Sequence, residues 1–139
     1  MTEISFYVGK NNTLRDRLIL ACRVTQKAFD KGYHVHIHTD SESTSRQLDD
    51  LLWTWHPSSF IPHALADNAD QERVIIAHDF EPNQNCDYLI NLSNEQPKFF
   101  SRFERMGEIL DQTPDILTDG RKRYAYYRDR GYTLKYYQL

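Results

Sequence analysis

Glycine is scarce in this sequence, with five in 139 residues, and only Gly9 stands at the turn that follows the first strand-like run. That turn reads "VGKNNTL". A dinucleotide fingerprint needs three spaced glycines there, and a P-loop needs a Gly-Lys-Ser/Thr ending. Without them the backbone cannot approach a pyrophosphate closely, so nucleotide chemistry is disfavoured. Cysteine is as scarce. Cys22 and Cys86 lie far apart with no CxxC, which reads as two reduced thiols rather than a disulfide frame or a zinc knuckle. Long apolar runs are missing too, so no segment reaches membrane-span length, and the start lacks a basic-then-apolar leader. A cytoplasmic protein with no membrane contact is expected. No GxSxG elbow is present, and neither cysteine has a nucleophile's local signature.

What the chain does have is size for one core and an excess of aromatic rings. Its 139 residues suit a single domain over 1–139, with 40% hydrophobic and 27% charged residues. Nine Tyr and seven Phe suit surfaces that are apolar and polar at once, which favours binding work. Net charge is −3, but unevenly distributed. From Asp119 onward six Lys/Arg face two acids, giving +4, so residues 1–118 carry −7. An acidic body with a basic tail end is a poor grip for a long duplex and a good one for a small acidic partner.

Hydrophobic periodicity sketches the fold. "ISFYVG" (4–9) reads as a strand, and Thr13 caps a helix that runs to Gly32. "YHVHIHT" (33–39) alternates as a strand, and a helix follows with Leu48, Leu51, Leu52 and Trp55 on one face. "RVIIAH" (73–78) and "DYLINLS" (87–93) read as two more strands. Pro97 then suits the first turn of a helix carrying Phe99, Phe100, Phe103, Met106, Ile109 and Leu110, broken at Pro114. A last helix over 115–130 stops at Gly131, and "YTLKYYQL" adds a closing strand. The order β-α-β-α-β-β-α-α-β implies an α/β fold with a mostly parallel sheet and helices on both faces.

Three features invite chemistry. His34, His36 and His38 share one strand face with neighbours about 6–7 Å apart. Two of them can share a zinc, but no further ligand is marked, so hydrogen-bonded imidazoles on a covered or edge strand are the plainer account. "WTWHPSSFIPH" (53–63) concentrates two Trp, a Phe and an Ile where Pro57 and Pro62 exclude regular structure. Trp55 fits the core-facing stripe of its helix, whereas Trp53 points elsewhere and with Phe60, Ile61 and Pro62 can form a patch for another chain. In "LTDGRKRYAYYRDRGY", Leu117, Arg121, Tyr124 and Arg128 recur at 4, 3 and 4 and so share a helical face. Two guanidiniums around a ring suit a ligand that is acidic and aromatic, with Tyr127 and the closing segment walling the other side. A half-buried helix with solvated arginines fits the same spacing. Single-stranded nucleic acid stacking on tyrosine is a third account, opposed by the −7 body.

"ISFYVG", "YHVHIHTD", "LDDLLWTWHPSSFIPHALA" and "RKRYAYYRDRGY", in that order over nearly the whole chain, resemble the chi subunit of bacterial DNA polymerase III. The most specific part is Leu52, Trp53, Ser59, Phe60, Ile61, Pro62 and His63. The resemblance implies a Rossmann-like, non-catalytic accessory subunit without cofactor. It implies a psi subunit (in some members a helicase) at Trp53, Phe60, Ile61, Pro62, His63 and Leu65. It also implies that the C-terminal tail of single-stranded DNA-binding protein docks at Thr113, Leu117, Arg121, Tyr124, Tyr127 and Arg128. Ala125 stands where a basic residue is common, so Lys122 or Arg123 would have to substitute, and the segment 114–121 is short. A nucleotide-dependent or hydrolytic α/β enzyme and a direct single-strand binder remain the alternatives.

Overall fold

The computed structural model describes residues 1–69, 72–79, 82 and 85–139. Its elements run β1 (Glu3–Val8), α1 (Leu14–Asp30), β2 (Val35–His38), α2 (Glu42–Thr54), β3 (His63–Leu65), β4 (Val74–Ala77), β5 (Tyr88–Asn91), β6 (Arg105–Leu110), α3 (Pro114–Asp129) and β7 (Leu134–Gln138). Short 3-10 turns occupy Ala66–Asn68 and Phe100–Arg102. The strands form one sheet in the order β3-β4-β2-β5-β6-β1-β7, and every neighbouring pair is parallel. The expected α/β class holds.

Local chemistry explains where the helices begin and end. Thr13 and Ser41 accept hydrogen bonds from the Asp16 and Thr44 backbone N–H groups, capping α1 and α2. α3 starts on Pro114, which has no N–H to leave unsatisfied. α1 and α3 stop on the same device: Gly32 and Gly131 sit at φ 88° and 81°. There the following N–H, of Tyr33 or Tyr132, reaches back to Ala28 or Tyr127.

One expectation fails. Residues 97–113 are not a helix; a 3-10 turn at Phe100–Arg102 leads into the strand β6. Met106 through Leu110 are all buried, so this central strand has no exposed face to produce alternation. Its apolar residues therefore fit a helical template by accident. β3, three residues long, is also absent from the sequence reading.

Two apolar clusters sandwich the sheet. α1 and α2 cover one face, packing Leu18, Leu48 and Leu52 against Val35, Ile37 and Ile76. α3 and the Phe99–Phe103 turn cover the other, against Ile4, Phe6 and Leu89. Cys22, wholly buried on the inner side of α1, has its thiol pushed up to about 12 by desolvation, and no disulfide joins it to Cys86. No helix among the described residues is long and apolar enough to cross a membrane.

The histidine strand is explained by that second layer. His36 and His38 lie edge-on to Phe99 at 5.6 and 5.5 Å, with Phe103 also against His36. His34 lies just before β2, where its backbone N–H and Nδ1 approach Asp87 Oδ2 at 2.8 and 3.1 Å. Among the described residues no group of three His, Cys, Asp or Glu is placed to hold a metal.

Candidate functional site

Open parallel sheets bind ligands where adjacent strands send their chains to opposite faces. Here β2 leads to α2 on one face and its neighbour β5 leads to the Phe99–Phe103 turn on the other. The protein's own polar groups fill that crevice. Asn91, fully buried, donates to the Glu95 carbonyl and to Glu108 at 2.8 and 2.9 Å. Its Oδ1 accepts from the Ser93 backbone N–H and hydroxyl. Arg17 of α1 crosses above to donate to the Leu92 carbonyl at 2.9 Å, with its Nε 3.8 Å from Asp111. Burial, partly offset by Asp111 and Asp40, lowers the Arg17 pKa. The loops after β1 and β6 are tied in the same way, by Gln112 donating to the carbonyls of Asn11 and Gly9.

Beneath this lies a buried ionic joint between sheet and helix. Glu108 on β6 is fully buried and accepts from Arg123 Nε and Nη2 at 3.0 and 3.1 Å. It also accepts from the Tyr127 hydroxyl at 2.9 Å. The Tyr127 phenol is pushed up first by burial and then by the Glu108 charge, so it stays a donor. These contacts assign α3 an inner row, Gly120, Arg123 and Tyr127, all buried. Gly120 has a packing reason: a Cβ there would lie 2.5 Å from Leu110 Cδ1.

Two expectations about α3 change accordingly. Tyr127, placed by the sequence on the binding face, is 0% exposed and points inward. Arg123, a candidate to replace the missing base at Ala125, is occupied by Glu108. The outer row remains: Arg121 and Arg128 are exposed, and Leu117 and Tyr124 are half-buried. Tyr124 rests edge-on against Phe6 at 5.2 Å and meets Tyr136 of β7 at 6.1 Å. The exposed Tyr136 thus stands beside Tyr124 on the outer side of the helix, where Tyr127 does not. Arg128 makes an exposed pair with Asp129 at 3.3 Å, worth little in water. Thr113 stands at the start of the helix with its hydroxyl toward the Asn12 carbonyl.

The turn 53–63 divides in two. Trp55 is half-buried against the α1–α2 cluster, as its helical spacing requires, and Ile61 is 0% exposed in that cluster. Ile61 therefore anchors the turn and adds no exposed surface, contrary to its expected place in the patch. His63 is buried too, its ring nitrogens facing the carbonyls of Ile61 and Asp49 at 2.6 and 2.9 Å. Trp53 packs against that imidazole, tilted by 40° with centroids 4.2 Å apart. Its outer edge meets Phe60 at 5.9 Å. Trp53 is 48% and Phe60 72% exposed, with Pro62 exposed and Leu65 half-buried beside them. Such rings held out by a tied-down turn form an apolar patch of the kind that marks interaction sites.

The molecule is thus a three-layer α/β protein presenting an apolar patch beside α2 and a basic, aromatic helix face on the opposite side of its sheet. Residues 1–135 match the family described as DNA polymerase III chi subunit, HolC, and the chain belongs to that family. It is 34% identical to DNA polymerase III subunit chi of Pseudomonas aeruginosa, over 100% of this chain and 98% of that one. It is 29% identical to the Haemophilus influenzae subunit chi, over 93% and 92% of the two chains. The Escherichia coli subunit chi is 26% identical, over 96% of each chain. The family is one of accessory subunits of a DNA polymerase, serving DNA replication.

Proposed function

We propose that this chain is a non-catalytic cytoplasmic adaptor that joins the clamp-loader assembly to DNA-coated single-stranded DNA-binding protein. The observation that carries the reading is the disposition of two exposed surfaces on opposite faces of one rigid sheet. Two partners can bind at once without competing. The crevice where an α/β enzyme would hold its substrate is filled by Asn91, Ser93 and Arg17 instead. That filling supports an adaptor over a nucleotide-dependent or hydrolytic enzyme.

The patch at Trp53, Phe60, Pro62 and Leu65 is the surface for the psi subunit, with His63 as the support beneath Trp53 and Ile61 as the anchor. Phe60 is the cleanest probe, because a ring 72% exposed contributes little to the fold. Phe60→Ala is expected to keep the wild-type melting temperature and to lose the clamp-loader component in co-purification from cell extract. An unchanged partner list would refute the assignment. Loss of a helicase alone would place a helicase on the patch.

The outer row of α3 is the surface for the acidic, Phe-ending tail. Its C-terminal Phe carries a ring and a free carboxylate on one residue, suited to Arg121 and Arg128 around Tyr124, with Tyr136, Leu117 and Thr113 at the rim. Arg121→Ala and Arg128→Ala should each weaken binding of the tail peptide by about 1–3 kcal/mol, the scale of a charge-assisted hydrogen bond. Raised salt should weaken it further. Calorimetric titration with the peptide is the check, and wild-type affinity in both variants would move the site elsewhere.

A further inference from the structure

A third surface belongs to neither assignment. α1 crosses β2, β5 and β6, whereas β1 and β7 extend past it. The uncovered sheet and the flank of the helix make a groove. Its floor is set by strand register: Ser5 pairs with Lys135 and Tyr7 with Tyr137, all on the α1 side. The two rings stack at 5.2 Å and 18°, and Tyr137 is 42% exposed. The wall is a ladder of cations. Arg23, Lys27 and Lys31 follow one another at four-residue intervals, about 6 Å per step along the helix. All three are exposed. The lower and upper stretches share Tyr7, Lys27 and Tyr137, so the groove is continuous. Among its described lining residues the single acid is Glu3, already bound to Arg105 at 2.6 Å.

We propose that this groove binds single-stranded nucleic acid, a function distinct from the two protein surfaces above. A ladder of evenly spaced cations whose step is close to the phosphate repeat of an extended strand tracks a backbone. The exposed ring of Tyr137, backed by the half-buried Tyr7, accepts a base of any sequence. An acidic peptide fits less well, because the β1 backbone on the floor is paired on both sides and offers it no hydrogen-bond donors. The −7 summed over residues 1–118 does not oppose this. Arg23, Lys27 and Lys31 lie within that acidic stretch and are gathered on one flank by the helix.

The test is fluorescence anisotropy with a labelled oligo-dT against the full chain at low salt. Wild type should bind weakly, near the non-specific range of about 10–100 µM. Its log–log salt slope should be about −2, for three phosphate contacts at roughly −0.7 each. Lys27→Glu/Lys31→Glu should weaken binding about tenfold or more, and Tyr137→Ala about tenfold, both with wild-type circular dichroism and melting. Arg121→Ala/Arg128→Ala should leave it unchanged. Three outcomes overturn the proposal: no salt-sensitive binding by wild type, equal binding by the charge-reversed variant, or loss only in the α3 variant. A fourth is tighter, Lys27-dependent binding of an acidic peptide than of the oligonucleotide. Titrating the tail peptide into the same variants keeps the two readings separable, since groove variants should bind that peptide as wild type does.

Discussion

Glu108→Ala should lower the free energy of unfolding by about 3–5 kcal/mol, the cost of stranding one charge of a buried pair. Glu108 accepts four hydrogen bonds from Asn91, Arg123 and Tyr127. Its removal leaves the Arg123 guanidinium, 6% exposed, without its carboxylate, and leaves the Tyr127 hydroxyl and the Asn91 amide each one acceptor short. For a chain of this size the melting temperature should fall by roughly 10–15 °C. The pair need not be net stabilising. A Glu108→Leu/Arg123→Met double variant, with both charges gone, should recover much of the loss, and the double-mutant cycle should give a coupling of about 2 kcal/mol or more. A single variant within about 1 kcal/mol of wild type would show that the joint does not clamp the helix. The consequence reaches function, because the joint orients α3, whose outer row carries Arg121, Tyr124 and Arg128. Glu108→Ala should weaken tail binding although Glu108 touches no part of that face.

Lowering the pH from 7 to 4 should cost stability through His36, by about 2 kcal/mol at pH 5 and roughly 3 by pH 4. Burial between β2 and the Phe99–Phe103 turn lowers its pKa to about 4, and the neighbouring His38 lowers it further. In the unfolded chain the ring protonates near 6.5, so between pH 6.5 and 4 the unfolded state holds more protons and stability falls with pH. His38 is shifted in the same direction, chiefly by burial, and steepens the fall. Asp87, held low first by the His34 backbone N–H, acts in a more acidic window, where protonation removes its contribution. Urea unfolding of wild type and His36→Leu across this range is the measurement. The variant's profile should be flatter; parallel profiles would show that His36 is not the group that titrates.

The three helices were legible because each keeps one wet face, and β5, though buried throughout, because it is a short apolar run between turns. α1, α2 and α3 present alternate apolar and polar rows, and their ends carry Thr13, Ser41, Pro114, Gly32 and Gly131, residues whose local chemistry acts without help from elsewhere. β6 was illegible for the opposite reason. Buried on both faces and holding Gly107 and Glu108 at its centre, it carries no period, and Glu108 looks like a solvated acid until Arg123 is placed beside it. The same contact explains Tyr127. Spacing along α3 defines two adjacent rows but cannot say which faces the sheet, and the carboxylate on β6 decides it.

By itself, then, the sequence determined the class of fold, the capped helices, and the family, whose motif at Trp53 to His63 is contiguous. Trp53 and Phe60 stand out in the sequence because the two prolines deny them regular structure, and both rings are exposed in the fold. Only the tertiary structure decided that Ile61 is core, that Tyr136 rather than Tyr127 stands exposed beside Tyr124, and that cations from the acidic stretch 1–118 line one groove. Helix periodicity and caps are set by residues within a turn or two of one another. Burial, ion pairing and charge clustering are set by residues distant in the chain, brought together only when the sheet assembles.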